Sequence, residues 1–209
     1  SIFCFFARCP ACASFGMSTK EQNRELVGIA RRGKLDGEDG FKAKLNEATK
    51  LQLDLDFCEK PYFRSALWEA TWKNHEVIVR MLVEKGASVS FSDYQGRTPL
   101  HEAAYYGHSS LVDFFLDKGH PIDPMDHSGQ TPLFRAVEGG RDDVVRKLIE
   151  KGAETNLLDG DDVTAQHVAA FQGMPQMSWW LLYKGAWKNR FNIEEGGVPK
   201  AEVSEEGTK

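Results

Sequence analysis

Thr98-Pro99-Leu100-His101-Glu102-Ala103-Ala104 is the phrase from which the rest of the chain can be read. It recurs as Thr131-Pro132-Leu133-Phe134-Arg135-Ala136-Val137 and as Thr164-Ala165-Gln166-His167-Val168-Ala169-Ala170. A weaker copy, Ser65-Ala66-Leu67-Trp68-Glu69-Ala70-Thr71, stands upstream. The copies begin at residues 65, 98, 131 and 164, a step of 33 each time. Four more columns keep that step. They are Asn74, Gly107, Gly140 and Gly173; Gly86, Gly119, Gly152 and Gly185; Leu82, Phe115, Leu148 and Leu181; and Val83, Leu116, Ile149 and Leu182. A fixed period of this size marks a repeat architecture, in which each unit buries the apolar face of its neighbour.

The residues of one unit prescribe helix, turn, helix and projecting hairpin. Thr-Pro opens a helix, because Thr caps free N–H groups and Pro at the first helical position loses no hydrogen bond. Gly107, Gly140 and Gly173 end it with a left-handed residue. A second helix is predicted from Ser110 to Asp117, with Val112, Phe115 and Leu116 on one face, and Lys118-Gly119 stops it. Phe91-Ser92-Asp93-Tyr94-Gln95-Gly96 is rich in turn formers and carries the chain out and back to the next unit.

A 33-residue period with Thr-Pro-Leu-His-x-Ala-Ala resembles the ankyrin repeat, over about residues 60–192. The resemblance implies an all-α solenoid of helix-turn-helix units joined by projecting β-hairpin loops, with four repeats in 61–193. Glu25 to Gly33 resembles the first helix of an N-terminal cap and Phe41 to Leu51 its second, so residues 18–60 read as a capping ankyrin-like unit. Gly33 and Asn74 are 41 residues apart rather than 33, which places about eight extra residues near Asp36-Gly37-Glu38-Asp39-Gly40. The last copy departs from the motif. Ala165 and Gln166 replace Pro and Leu, and Asp162 stands where Gly96 and Gly129 stand earlier. Terminal repeats depart in this way because one of their faces meets solvent. A further hairpin begins around Asn189–Gly197 without completing a unit. Residues 194–209, with five Glu and two Lys, read as a disordered acidic tail.

Composition narrows the function classes. Basic residues number 26 and acidic residues 31, for a net charge of -5, so the chain lacks the basic surplus that nucleic-acid binding requires. No apolar run reaches the roughly 18 residues that span a bilayer, so no direct membrane insertion is expected. Of the cysteines, Cys4, Cys9 and Cys12 crowd the first dozen residues and only Cys58 lies beyond them. A body without cysteine from 59 to 209 fits a reducing compartment, and the expected location is cytoplasmic. Residues 1–17 read as an unstructured leader or targeting segment. Residues 1–20 are acid-poor, carrying only Arg8 and Lys20 as charges, and could belong to a mitochondrial or plastid transit peptide.

Several residues invite a chemical role. His101 and His167 sit at the motif's histidine, which in the family braces the turn by hydrogen bonding. His75 and His108 adjoin the helix-ending column, where the family often has histidine, and His120 and His127 are expected at the surface. Cys4, Cys9 and Cys12 have C-x4-C-x2-C spacing, which resembles part of a plant-type ferredoxin loop, yet the glycine-rich loop is missing. No metal and no cofactor is therefore expected. Asp142-Asp143 and Asp159-Gly160-Asp161-Asp162 fall on a helix start and a hairpin tip, where carboxylates complement the helix dipole or are solvated. There is no phosphate-cradling loop and no nucleophile–base set, so the chain does not read as an enzyme.

In ankyrin proteins the hairpin tips and the exposed side of each first helix line a concave groove. By register these positions are Trp72, Lys73, Tyr94, Gln95, Arg97, Tyr105, Tyr106, His127, Gln130, Glu138, Phe171 and Gln172, and they form the candidate partner-binding surface. The apolar columns do not need the aromatics among them, which are expected to be exposed, as interface anchors are. Trp179, Trp180 and Trp187 form a secondary docking candidate near the C-terminal end. The resulting reading is a non-catalytic protein-binding module, with one or more proteins as partners. It would act as an adaptor, a scaffold or an accessory, stable subunit of a larger complex. The alternative is an organelle-targeted assembly subunit with a metal or redox centre at the N-terminal cysteines.

Overall fold

Helices of seven to nine residues lie below the ~12–15 residues at which an isolated helix becomes marginal in water. Eight of the ten described helices are this short and are therefore held by stacking. The computed structural model describes residues 17–35, 40–50, 53–58 and 61–186. Among these, ten α-helices run in pairs: α1 (Met17–Arg32) with α2 (Phe41–Lys50), α3 (Ala66–Trp72) with α4 (Glu76–Glu84), α5 (Pro99–Tyr106) with α6 (Ser109–Asp117), α7 (Pro132–Glu138) with α8 (Asp142–Glu150), and α9 (Ala165–Phe171) with α10 (Pro175–Leu181). The helix predicted from Ser110 begins one residue earlier. From α3 onward both members of each pair advance by 33 residues. The first helices α1, α3, α5, α7 and α9 stack in chain order, and each carries its second helix behind it. The architecture is an all-α repeat solenoid.

The columns read from the sequence make the core. Leu82, Phe115, Leu148 and Leu181 are fully buried, as are Leu67, Leu100 and Leu133 on the first helices. Ala70, Ala103, Ala136 and Ala169 are buried between them, their small side chains letting successive first helices approach closely. Leu26, Ile29 and Ala30 of α1 and Phe41, Leu45 and Ala48 of α2 continue the same core upstream. Each fully buried Leu, Ile or Phe stabilises the fold by about 1.5–3 kcal/mol. Gln166, which replaces the motif leucine, is half-buried, and its amide donates to Ser178 Oγ at 3.1 Å.

Between repeats the chain turns around a column of aspartates. Asp93 Oδ1 accepts from the N–H groups of Gln95 and Arg97, Asp126 Oδ1 from those of Ser128 and Gln130, and Asp159 Oδ1 from those of Asp161 and Val163, all at 2.8–3.0 Å. These turns are too tight for a strand, and no strand occurs among the described residues. Neighbouring tips are joined by single backbone bonds: Tyr94 N–H to Tyr62 O, His127 N–H to Gln95 O and Gly160 N–H to Ser128 O.

A second set of bonds ties each repeat to the exit of the preceding first helix. The carbonyls of Arg31, Trp72, Tyr105 and Glu138 face His75 Nε2, His108 Nε2, Arg141 Nε and the Gln172 amide, at 3.1–3.4 Å. His75 and His108 are thus structural. Gly139 is required at the third of these junctions, because a Cβ there would lie 2.1 Å from the Tyr105 carbonyl oxygen.

The motif histidines behave as the resemblance implies. His101 Nδ1 accepts from the Thr98 N–H at 3.1 Å, so the ring proton belongs on Nε2, which donates to the Gln130 carbonyl at 3.1 Å. The ring is neutral, and burial lowers its pKa to about 4. His167 Nδ1 likewise faces the N–H and hydroxyl of Thr164. His120 corrects the sequence reading. It is buried rather than at the surface, in the column of Ala87 and Ala153, and burial lowers its pKa. His127 is exposed as expected.

Neutral His101 makes the folded state refuse a proton that the unfolded chain takes up below pH 6.5, so its contribution to stability falls between pH 6.5 and about 4. His101→Ala should cost about 1 kcal/mol at pH 7.5, from the lost buried hydrogen bond. A tenfold difference in proton affinity between the folded and unfolded chains is worth about 1.36 kcal/mol. The deficit of the variant should therefore vanish or reverse near pH 4.5 in urea titrations, and a pH-independent difference would refute the assignment.

The tip column Phe63, Gly96, Gly129 and Asp162 has φ of 52°, 78°, 76° and 59°. Left-handed backbone is strained for a side chain, so Asp162→Gly should stabilise the chain by roughly 0.5–1 kcal/mol, read as a raised melting temperature.

Candidate protein-binding face

The stacked first helices bring one column to the surface. Arg31, Trp72, Tyr105, Glu138 and Phe171 are the corresponding residues at the exits of α1, α3, α5, α7 and α9, and the turn tips carry Tyr62, Tyr94, Arg64 and Arg97 beside them. Phe171 is 93% exposed, Tyr94 45% and Tyr106 37%. Trp72 and Tyr105, expected to be exposed, are instead half-buried. Cations of the same chain lie on them. Arg31, Arg64 and Lys73 sit over the Trp72 ring at 5.7, 5.5 and 3.8 Å, and Arg135 sits over Tyr105 at 4.3 Å. Tyr105 also meets Tyr106 edge-on, and Tyr106 stacks on His108. Tyr94 packs against Tyr62, itself 52% exposed.

Among the polar candidates, the fold uses several and leaves others open. Gln95 and Gln130 spend their carbonyls on His127 N–H and His101 Nε2. Gln172 spends its amide on Glu138 O. Arg97 approaches Asp126 at 3.6 Å and Glu138 is ion-paired with Arg135. Lys73 and His127 are exposed.

Beneath this face runs a row of buried charges that the sequence did not announce. Glu69, Glu102 and Arg135 share one column, one position after the motif histidine, and are 6%, 4% and 6% exposed. Burial raises the pKa of Glu69, opposed by Arg31, Arg64 and Lys73. Burial likewise raises that of Glu102, opposed first by Arg135 and then by Arg97. The register marks this column, but no residue type in it signals that it is buried. Tyr62 and Arg64 are legible by the same 33-residue step from Gln95 and Arg97.

The secondary candidate lies on the second-helix side of the last repeat. Trp179 is 67% exposed and stacks on Tyr183. Trp180 is half-buried, with Arg146 5.1 Å above its ring. With Pro175 and Gln176 these residues line an open hollow of about 400 Å³. Trp187 lies outside the described residues, as do Cys4, Cys9 and Cys12, the segment 1–16 and the tail 194–209. Cys58 is described, as a half-buried unpaired thiol. Burial pushes its pKa up, with Asp54 and Asp56 adding to the effect, which disfavours the thiolate that a metal would need.

The sequence model of the family described as ankyrin repeats, in three copies, matches residues 41–126 and 107–192. The chain belongs to the ankyrin-repeat family. A comparison with curated proteins gives no match. Ankyrin repeats generally serve as protein-interaction modules, and their stacked units present an extended concave surface to a partner. The column from Arg31 to Phe171 and the adjoining tips lie along the exits of the stacked first helices. No helix among the described residues is long and apolar enough to cross a membrane.

Because burial differs along this ankyrin face, truncations should separate. Phe171→Ala should leave stability within about 0.5 kcal/mol, whereas Trp72→Ala, which removes a half-buried ring packed against Trp68 and three cations, should cost about 1–3 kcal/mol in chemical denaturation. Equal costs would show that the two rings are packed alike.

Proposed function

We propose that this ankyrin-repeat chain is a non-catalytic binding module, an adaptor, scaffold or accessory subunit of a larger protein assembly, whose partner lies along the first-helix face. Residues 18–60 act as its N-terminal cap and 61–193 as the four repeats that carry the face. The observation that supports this reading best is Phe171. It is a large apolar side chain, 93% exposed, in the column of Trp72 and Tyr105, and no apolar column of the core requires it. Tyr62, Tyr94 and Tyr106 extend the same aromatic surface, and aromatic side chains are the usual anchors of protein interfaces. The half-buried state of Trp72 and Tyr105 fits this role, since side chains already held by neighbours lose little freedom on binding. A cytoplasmic location agrees with a body whose fold needs no disulfide.

The test begins with capture of partners on the full chain, identified by mass spectrometry, and continues with one purified partner. Tyr105→Ala with Tyr106→Ala should weaken its affinity at least about tenfold, since an anchor worth about 2 kcal/mol exceeds the 1.4 kcal/mol of one decade. The melting temperature is measured alongside. If affinity is unchanged in a folded double variant, the partner docks elsewhere, and the hollow of Trp179 and Trp180 is the next surface to vary.

A further inference from the structure

The N-terminal end of the first-helix face carries more positive charge than the fold uses. Arg31, Arg64 and Lys73 all converge on the Trp72 ring, and Arg64 also lies 4.0 Å from the Trp68 ring and 5.0 Å from that of Tyr62. A ring face attracts one cation well, and like charges crowded around it repel. The anion they share is Glu69. It stands 3.8 Å from Arg31 and 3.9 Å from Arg64, beyond hydrogen-bond length in both cases. Arg64 Nε and Glu69 Oε2 are both buried without a hydrogen-bond partner. Lys73 Nζ meets the ring and no carboxylate at ion-pair distance among the described residues.

Accessibility sharpens the asymmetry. The side chain of Arg31 is 59% exposed and that of Arg64 28%, whereas that of Glu69 is 8%. Lys73 is exposed as well. Among the described residues, what a visitor meets around the Trp72 ring is therefore cationic. At the other end of the face Asp161 and Asp162 are exposed, Glu138 is half-buried and paired with Arg135, and Arg141 is the exposed cation, bonded to the Tyr105 carbonyl. This polarity stands on a chain whose net charge is -5, so the positive end is a local feature rather than a general one.

We propose that the Trp72 end of the face, with Arg31, Arg64 and Lys73, receives an acidic side chain from a peptide segment of the partner, laid along the face with that residue toward α1. The inference rests on the reading of this face as the protein-binding site. An incoming carboxylate relieves the repulsion among the three cations and meets the exposed guanidinium of Arg31 and ammonium of Lys73, giving charge-assisted bonds. The acidic far end disfavours the reversed orientation, so the charge pattern sets direction as well as affinity.

A random peptide library displayed on phage, selected on the full chain, tests the proposal. Selected peptides should share an Asp or Glu at one position. Their affinity, measured by fluorescence anisotropy on synthetic copies, should fall at least about tenfold with Lys73→Glu and should weaken as salt is raised. Lys73 is exposed and makes no ion pair among the described residues, so Lys73→Glu should fold, as a melting curve verifies. Arg31→Gln serves as the second variant and should weaken binding in the same direction. Peptides that lose binding with Tyr105→Ala and Tyr106→Ala, yet carry no shared acid or bind Lys73→Glu unchanged, overturn this inference and leave the face as the binding site. Peptides indifferent to both sets of variants, or a library that yields none, overturn both.

Discussion

From α3 onward, a first helix of seven or eight residues has at least as many unpaired backbone groups at its ends as paired ones within it, and it persists only while a neighbour covers it. Everything else in this molecule is arranged around that dependence. Leu82, Phe115, Leu148 and Leu181 give each unit one buried anchor in its second helix. The alanine column between the first helices brings them close enough for the exit carbonyl of one repeat to meet a side chain of the next. The donors at those junctions are His75, His108, Arg141 and Gln172. Three side-chain types do one job, because what the junction needs is an N–H at the right reach and not a particular residue.

The departures from the motif show where this arrangement is under tension. Phe63 and Asp162 hold left-handed backbone in the column where Gly96 and Gly129 do so without strain. They belong to the first and last repeats of the four. Gln166 takes a leucine position and is rescued by Ser178. Trp68 takes the histidine position, and its indole N–H finds no counterpart to the bond that His101 makes with Gln130. The repeat that opens at Thr98 has the capping box and the bond from His101 to the next tip, whereas Phe134 takes the histidine position in the repeat after it, where Thr131 caps alone.

On the first-helix face, packing and recognition use the same residues. Trp72 and Tyr105 are half-buried and carry cations on their rings, so they are neither plain core nor plain surface. The buried Glu69, Glu102 and Arg135 place fixed charge under a partly apolar surface, where a weaker dielectric strengthens its effect on whatever lies above.

The sequence by itself determined the period, the order of helices, the core columns, the capping role of Thr98 and His101 and the surface column that ends in Phe171. These are properties of one unit read against its copies, and a repeat makes every position legible several times over. Burial across repeats is another matter. His120 reads as a surface residue and is buried, and Trp72 and Tyr105 read as exposed and are half-covered. The convergence of Arg31, Arg64 and Lys73 on one ring joins residues from the cap, a turn and a helix exit, and the eight-residue lengthening of the cap hides Arg31 from the 33-residue register. Only the tertiary structure decided these points, because long cationic side chains choose their resting place by the rings and carboxylates that stacking brings within reach, and not by their position in the unit.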